Sequence, residues 1–171
     1  MKDPKAKNHD IAILTNFHSP TYGEMDFNEV VSRVIKYISE DKNNHYKIII
    51  GTDSELTNHH VADFVTAVVL HRVGFGGIYF WGRLSHNSIH SLRQRMWEEA
   101  SYSLQLAQRV IEEFRKKSLL RFNLEIHVDI GENGDTREMI NEIVGMIRGN
   151  GFEVKTKPNA FGASNVADRH T

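Results

Sequence analysis

From Asp26 to about Asp41 the apolar residues Val30, Val31, Val34, Ile35 and Ile38 recur at three- and four-residue intervals, the spacing of one face of an amphipathic helix. Asp26 stands where an N-cap is needed and Glu29 follows three residues on, so the pair predicts a capping box. The period then changes. KIIIGTD (47–53) is a short β-branched run ended by Gly-Thr-Asp, and VADFVTAVVLHRV (61–73) is a longer run followed by Gly74-Phe75-Gly76-Gly77. Both predict strands, and IYFWGRL (78–84) predicts a returning hairpin partner. From about Ile89 to Lys117 the helical period resumes, with Leu92, Met96, Ala100, Leu104, Ala107, Ile111 and Phe114 in one stripe.

FNLEIHVDI (122–130) alternates strictly. Leu124, Ile126, Val128 and Ile130 face one way, and Glu125, His127 and Asp129 the other. The loop GENGDT leads into a helix over about 136–148, where Asp135 and Glu138 are spaced for a second capping box. FEVKTKP (152–158) predicts a short closing strand, and about 163–170 a last helix. This order predicts an α/β fold with a five-stranded mixed sheet, a three-strand antiparallel meander plus parallel strands. Right-handed crossovers place helices on both faces. Residues 1–25, with Pro20, Gly23 and mixed charge, predict an N-terminal tail or wrapping segment. Residues 26–171 predict a single domain that includes the N-terminal extra helix.

Composition narrows the class. A chain of 171 residues suits one core, and its hydrophobic share of 40% is ordinary for a globular protein. The absence of cysteine excludes disulfides and thiolate metal sites. No apolar run approaches the ~20 residues that span a bilayer, and MKDPKAKNHD lacks the apolar centre of a secretory signal. The expectation is a cytoplasmic protein. A formal net charge of −1 argues neither for nor against a nucleic-acid partner.

The chemistry enters with two aspartates, Asp53 and Asp129, each expected to end an apolar strand. On adjacent parallel strands, about 4.8 Å apart, two ionised carboxylates repel and raise one pKa. A divalent cation removes the conflict, and hard oxygen donors suit Mg²⁺ or Mn²⁺ rather than zinc. Either aspartate alone would be read as a residue that closes a strand or opens a turn. Together, at carboxyl ends of parallel strands, they predict a ligand site.

Asp53 in IIIGTDSE, Asp129 in IHVDIG and Asp168 in NVADRHT, set in this strand order, resemble the ribonuclease-H fold and its acidic set. The likeness is closer to one branch, the bacterial YkuK-type family. There, GTDS-type and DIG-type strand ends, a Gly-Phe segment before Lys-Pro and a terminal Ala-Asp recur in this order. The resemblance covers roughly residues 26–171. It implies that Asp53 matches the first-strand aspartate, Asp129 the fourth-strand aspartate and Asp168 the carboxylate on the final helix. The long helix offers Glu98 or Glu99 as a fourth ligand; Glu99, at the border of the buried stripe, is chosen.

The implied activity is that of a nuclease on RNA, an RNA–DNA hybrid or structured DNA. Two metal ions would support in-line attack of water on a phosphodiester. Asp53 would bridge them, Asp168 would hold the ion that activates water, and Glu99 and Asp129 the ion at the departing oxygen. Two other readings stay open: a nucleic-acid-binding module without turnover, and a nucleotide phosphotransfer domain like the actin-like ATPases, suggested by the DIG loop.

Further residues are weighed as substrate or outer-shell groups. Glu55 is an extra ligand or a turn residue. His127 shares a face with Asp129, as an outer-shell group or as a buried, hydrogen-bonded histidine. Lys155, Lys157 and Arg169 are phosphate contacts or, for the two lysines, solvated edge residues. His170 approaches the metal only if the helix end frays. His59 and His60 are expected to be exposed. The loop Gly131-Glu132-Asn133-Gly134 is a weak phosphate cradle.

Overall fold

In the structure, a computed structural model, residues 14–58, 60–118, 122–131, 137–160 and 162–171 are described. Chain order is β1 (Asn16–Ser19), β2 (Gly23–Asp26), α1 (Phe27–Glu40), β3 (Tyr46–Asn58), β4 (Val61–Arg72), β5 (Gly76–His86), α2 (Leu92–Lys116), β6 (Asn123–His127), α3 (Arg137–Gly149), β7 (Glu153–Lys155) and α4 (Gly162–Asp168). The strands form one sheet in the order β2-β1-β5-β4-β3-β6-β7. β3, β4 and β5 make the expected antiparallel meander, and β6 and β7 add parallel to β3 in turn.

Among the described residues the sheet therefore has seven strands, not five. The two additional ones, β1 and β2, pair antiparallel with each other, and β1 borders β5. Each has four residues and one dominant apolar anchor, Phe17 or Met25, too few positions for a period of two to stand out. Gly82 makes room for this hairpin. A Cβ there would lie 2.5 Å from the Asn16 carbonyl oxygen and inside the Leu14 side chain.

Alternation along the strands divides two cores. Ile48 and Ile50 on β3, Val68 and Leu70 on β4, and Phe80 on β5 join residues of α1, α2 and α3 in the larger one. On the opposite face Ile49, Val65 and Ala67 meet Ala163 and Ala167 of α4. Helices thus cover both faces, as the crossovers require. The capping box at the start of α1 forms as expected: the Glu29 N–H donates to Asp26 Oδ1 at 2.9 Å, and the Asp26 N–H to Glu29 Oε2 at 2.9 Å. The second expected box falls on Asp135, outside the described residues.

α4 is short and seats on the sheet through small side chains, so its position depends on close approach. Gly162 lies where a Cβ would be 3.1 Å from Ile49 Cδ1 and 3.4 Å from the His127 ring. Ala163→Leu, at a fully buried position, is expected to destabilise the fold by about 1–3 kcal/mol through overpacking. Urea unfolding measures this; a variant as stable as the parent would show that α4 is loosely held.

Candidate carboxylate site

The site lies where β6 leaves β3. The last parallel pair is Gly51 with His127, and Asp53 and Asp129 each stand two residues beyond it. The parallel, adjacent arrangement read from the sequence is therefore present, but the strand ends are placed differently. β3 does not end at Asp53; it runs on to Asn58, and past Gly51 its partner among the described residues is β4. The polar stretch from Ser54 onward obscures this, because it pairs through its backbone and carries no apolar alternation. β6 ends at His127, and the chain through Asp129 is held instead by Val128 N–H to the Lys155 carbonyl (3.0 Å) and Lys157 N–H to the Ile130 carbonyl (2.9 Å).

Asp53 points to the face that α4 covers, and Glu99 arrives from α2 on the other face. Glu99 is 6% exposed and accepts a 2.5 Å hydrogen bond from Ser54 Oγ. Burial pushes its pKa up to about 7; the charges of Asp53 and Asp129 act the same way, while Ser54 and the nearby Arg95 oppose them. Glu98, on the adjacent face, acts on Tyr102, whose pKa burial and this charge push up to about 12. Asp53 is also held above the ordinary carboxylate range. Burial is the main cause, the Ser54 N–H and the Thr171 hydroxyl counter it, and the charges of Asp168 and Asp129 add to it. The four carboxylates thus share one electrostatic neighbourhood at one end of the sheet.

Protein donors engage three of them. Ser54 holds Glu99, Thr171 Oγ lies 3.2 Å from Asp53 Oδ2, and Lys157 Nζ lies 2.9 Å from Asp129 Oδ1. Asp168, at the end of α4, is exposed. In this arrangement no three carboxylates or imidazoles among the described residues converge closely enough to hold one cation.

His127 is buried beside the site and bonded. Its Nδ1 accepts from the Gly162 N–H at 3.3 Å, which leaves Nε2 as the donor to Glu125 Oε2, also at 3.3 Å. Burial lowers its pKa, against the pull of Glu125. Burial raises Glu125, but its bonds from Lys47 (2.8 Å) and His127 outweigh this and hold it below the usual range. His127 therefore ties β6 to the start of α4, the helix that ends in Asp168.

The remaining sequence candidates lie further out. Glu55 is exposed on β3. Lys155 pairs with Glu153 at 2.7 Å, and Arg169 is exposed. His170 stacks on Trp81, with ring centroids 4.2 Å apart and planes 10° from parallel. His60 is exposed, whereas His59 and the loop residues 132–136 lie outside the described residues. Sequence reasoning passed over Ser54, Thr171 and Arg95. Ser54 adjoins Asp53 and could have been suspected; the other two depend on which elements meet.

Residues 29–171 match the family model described as Ribonuclease H-like. With a mixed sheet, helices on both faces and an acidic neighbourhood where β6 leaves β3, the chain belongs to the ribonuclease H-like family. Its branch is the YkuK type: it is 32% identical to the Bacillus subtilis (strain 168) protein "Uncharacterized protein YkuK" over 169 residues, covering 91% of this chain and 96% of that one. No solved structure matches it. Membership points to a nuclease or nucleic-acid-binding module. Among the described residues no helix is long and apolar enough to cross a membrane.

Proposed function

We propose that this protein is a divalent-metal-dependent nuclease that hydrolyses phosphodiester bonds in RNA, an RNA–DNA hybrid or structured DNA. What supports the reading is the electrostatic neighbourhood that Asp53, Asp129, Glu99 and Asp168 share where β6 leaves β3, with Asp53 and Glu99 both held above their ordinary pKa. A buried acidic group in such a field is relieved by a bound cation.

The donor set fits Mg²⁺ or Mn²⁺, since every member is a hard carboxylate oxygen. Asp53, Glu99, Asp129 and Asp168 would hold the metal after turning from Ser54, Thr171 and Lys157. Bound there, divalent cations supply Lewis-acid polarisation of the phosphoryl oxygens and a water acidified enough to attack. The protein's own part is positional. β3 fixes Asp53 through its ladder with β4, Ser54 orients Glu99, and the His127–Gly162 bond sets the start of α4 against the sheet.

Mn²⁺ titration followed by calorimetry and thermal unfolding tests the site. Binding with a raised melting temperature is expected; no heat and no shift at millimolar Mn²⁺ would remove the metal from the proposal. A cleavage panel of hybrid, double-stranded RNA and branched DNA then separates a nuclease from a module that binds without turnover. The second reading draws on the protein donors already seated on three carboxylates, and binding without cleavage on every substrate would favour it.

Lys157 bears on metal loading. Its ammonium and a metal compete for Asp129, so Lys157→Ala is expected to tighten Mn²⁺ binding severalfold. The variant should change stability by less than about 1 kcal/mol, because the lysine side chain is 57% exposed and such pairs contribute little. Calorimetry on parent and variant checks both; weaker Mn²⁺ binding by the variant would show that Lys157 helps to build the site.

A further inference from the structure

Arg95 lies on α2 one turn before Glu99. Its guanidinium turns back toward the carboxylate site: Nη1 reaches the Ser54 carbonyl at 3.5 Å, the outer limit of a hydrogen bond. Its Nε is buried and has no hydrogen-bond partner among the described residues. Its charge acts on Glu99, yet no carboxylate among the described residues lies within ion-pair distance of it. Lys157, by contrast, is already neutralised by Asp129. Arg95 is therefore a half-buried cation beside the acidic neighbourhood with donor capacity unspent.

The planar guanidinium fork matches the paired oxygens of a phosphate better than it matches a single carbonyl. A phosphodiester brought to a carboxylate-lined site also needs positive charge beside it, and Arg95 supplies that charge from the same helix as Glu99. We infer that Arg95 binds a non-bridging oxygen of the substrate's phosphodiester backbone, adjacent to the bond that is cut.

The inference rests on the nucleic-acid reading of the site and names the group that holds the backbone there. A fluorescein-labelled RNA–DNA hybrid oligonucleotide, with Ca²⁺ in place of Mg²⁺, reads binding apart from turnover. Fluorescence anisotropy across a salt series compares the parent with Arg95→Gln, Arg95→Lys and, as a control, Arg115→Ala on the exposed end of α2. Arg95→Gln is expected to weaken binding about tenfold and to reduce the slope of log K against log salt by about one. Arg95→Lys should restore the slope but only part of the affinity, because an ammonium keeps the charge and loses the fork. Arg115→Ala should match the parent.

Thermal unfolding of each variant establishes that it is folded, and Arg95→Lys keeps the comparison usable if Arg95→Gln is not. Parent-like affinity and salt slope in Arg95→Gln overturn the inference and leave the nuclease reading standing. Parent-level affinity in folded Arg95→Gln with a reduced slope also counts against a direct phosphate contact. A parent protein that binds no hybrid, single-stranded RNA or branched DNA overturns the nucleic-acid reading and the role of Arg95 with it.

Discussion

Asp53→Asn is expected to reduce metal-dependent phosphodiester cleavage by about a thousandfold or more, since a metal ligand contributes several kcal/mol to stabilising the transition state. The change removes a charge and leaves the shape. Asp53 sits mid-strand, its backbone paired opposite Val65 on β4, and an amide oxygen can still accept from the Thr171 hydroxyl now 3.2 Å away. The fold should therefore persist. It should lose no stability, because Asp53 is held above its ordinary pKa by burial and by the charges around it. Parent and variant purified side by side, on the same substrates with Mn²⁺, give the comparison. Cleavage that survives in the variant would identify a contaminating nuclease and withdraw the assignment.

The second large effect is on stability. Glu99 titrates near 4.5 when unfolded and at about 7 in the fold, chiefly because it is buried. The native state thus binds this proton more tightly, and stability must fall as pH rises between those two values, levelling above the higher one. The interval corresponds to about 3 kcal/mol. Glu99→Gln removes the ionisation and can still accept from Ser54 Oγ. It is expected to match the parent near pH 4.5 and to exceed it by about 3 kcal/mol above pH 7 in metal-free buffer. His127 works in the opposite sense: its lowered pKa makes stability rise with pH toward 6.5. The histidine is present in both proteins, so the difference between them isolates the glutamate. Chemical denaturation across pH measures it, and a flat difference would mean that Glu99 is ionised and compensated in the native state. Mn²⁺ should narrow the gap at high pH, because only the parent offers the Glu99 carboxylate to it.

The long elements were legible because each carries a pattern that only one structure satisfies. The meander of β3, β4 and β5 shows as β-branched runs closed by glycine turns, and α2 as an unbroken stripe from Met96 to Phe114. The capping box at Asp26 and Glu29 needs nothing beyond four neighbouring residues. Short strands fared otherwise. β1 and β2 owe their place to the bare backbone of Gly82 and to a buried Phe17, and neither is visible as a run of alternating residues. The extension of β3 beyond Asp53 was hidden for the same reason: its pairing with β4 is made by backbone groups, whatever the side chains are.

The sequence by itself determined the class of fold, the parallel neighbourhood of Asp53 and Asp129, and the family, because periodicity and short motifs are local and survive without coordinates. The tertiary structure buries Glu99 on α2, as its place at the border of the apolar stripe indicated, and sets the depth of that burial through the packing of the helix against the sheet. It alone seated Lys157 on Asp129 and Thr171 beside Asp53, and left Arg95 with donors to spare. These contacts join residues far apart in the chain. Their distances depend on how β6, α2 and α4 meet around β3, which no local pattern encodes.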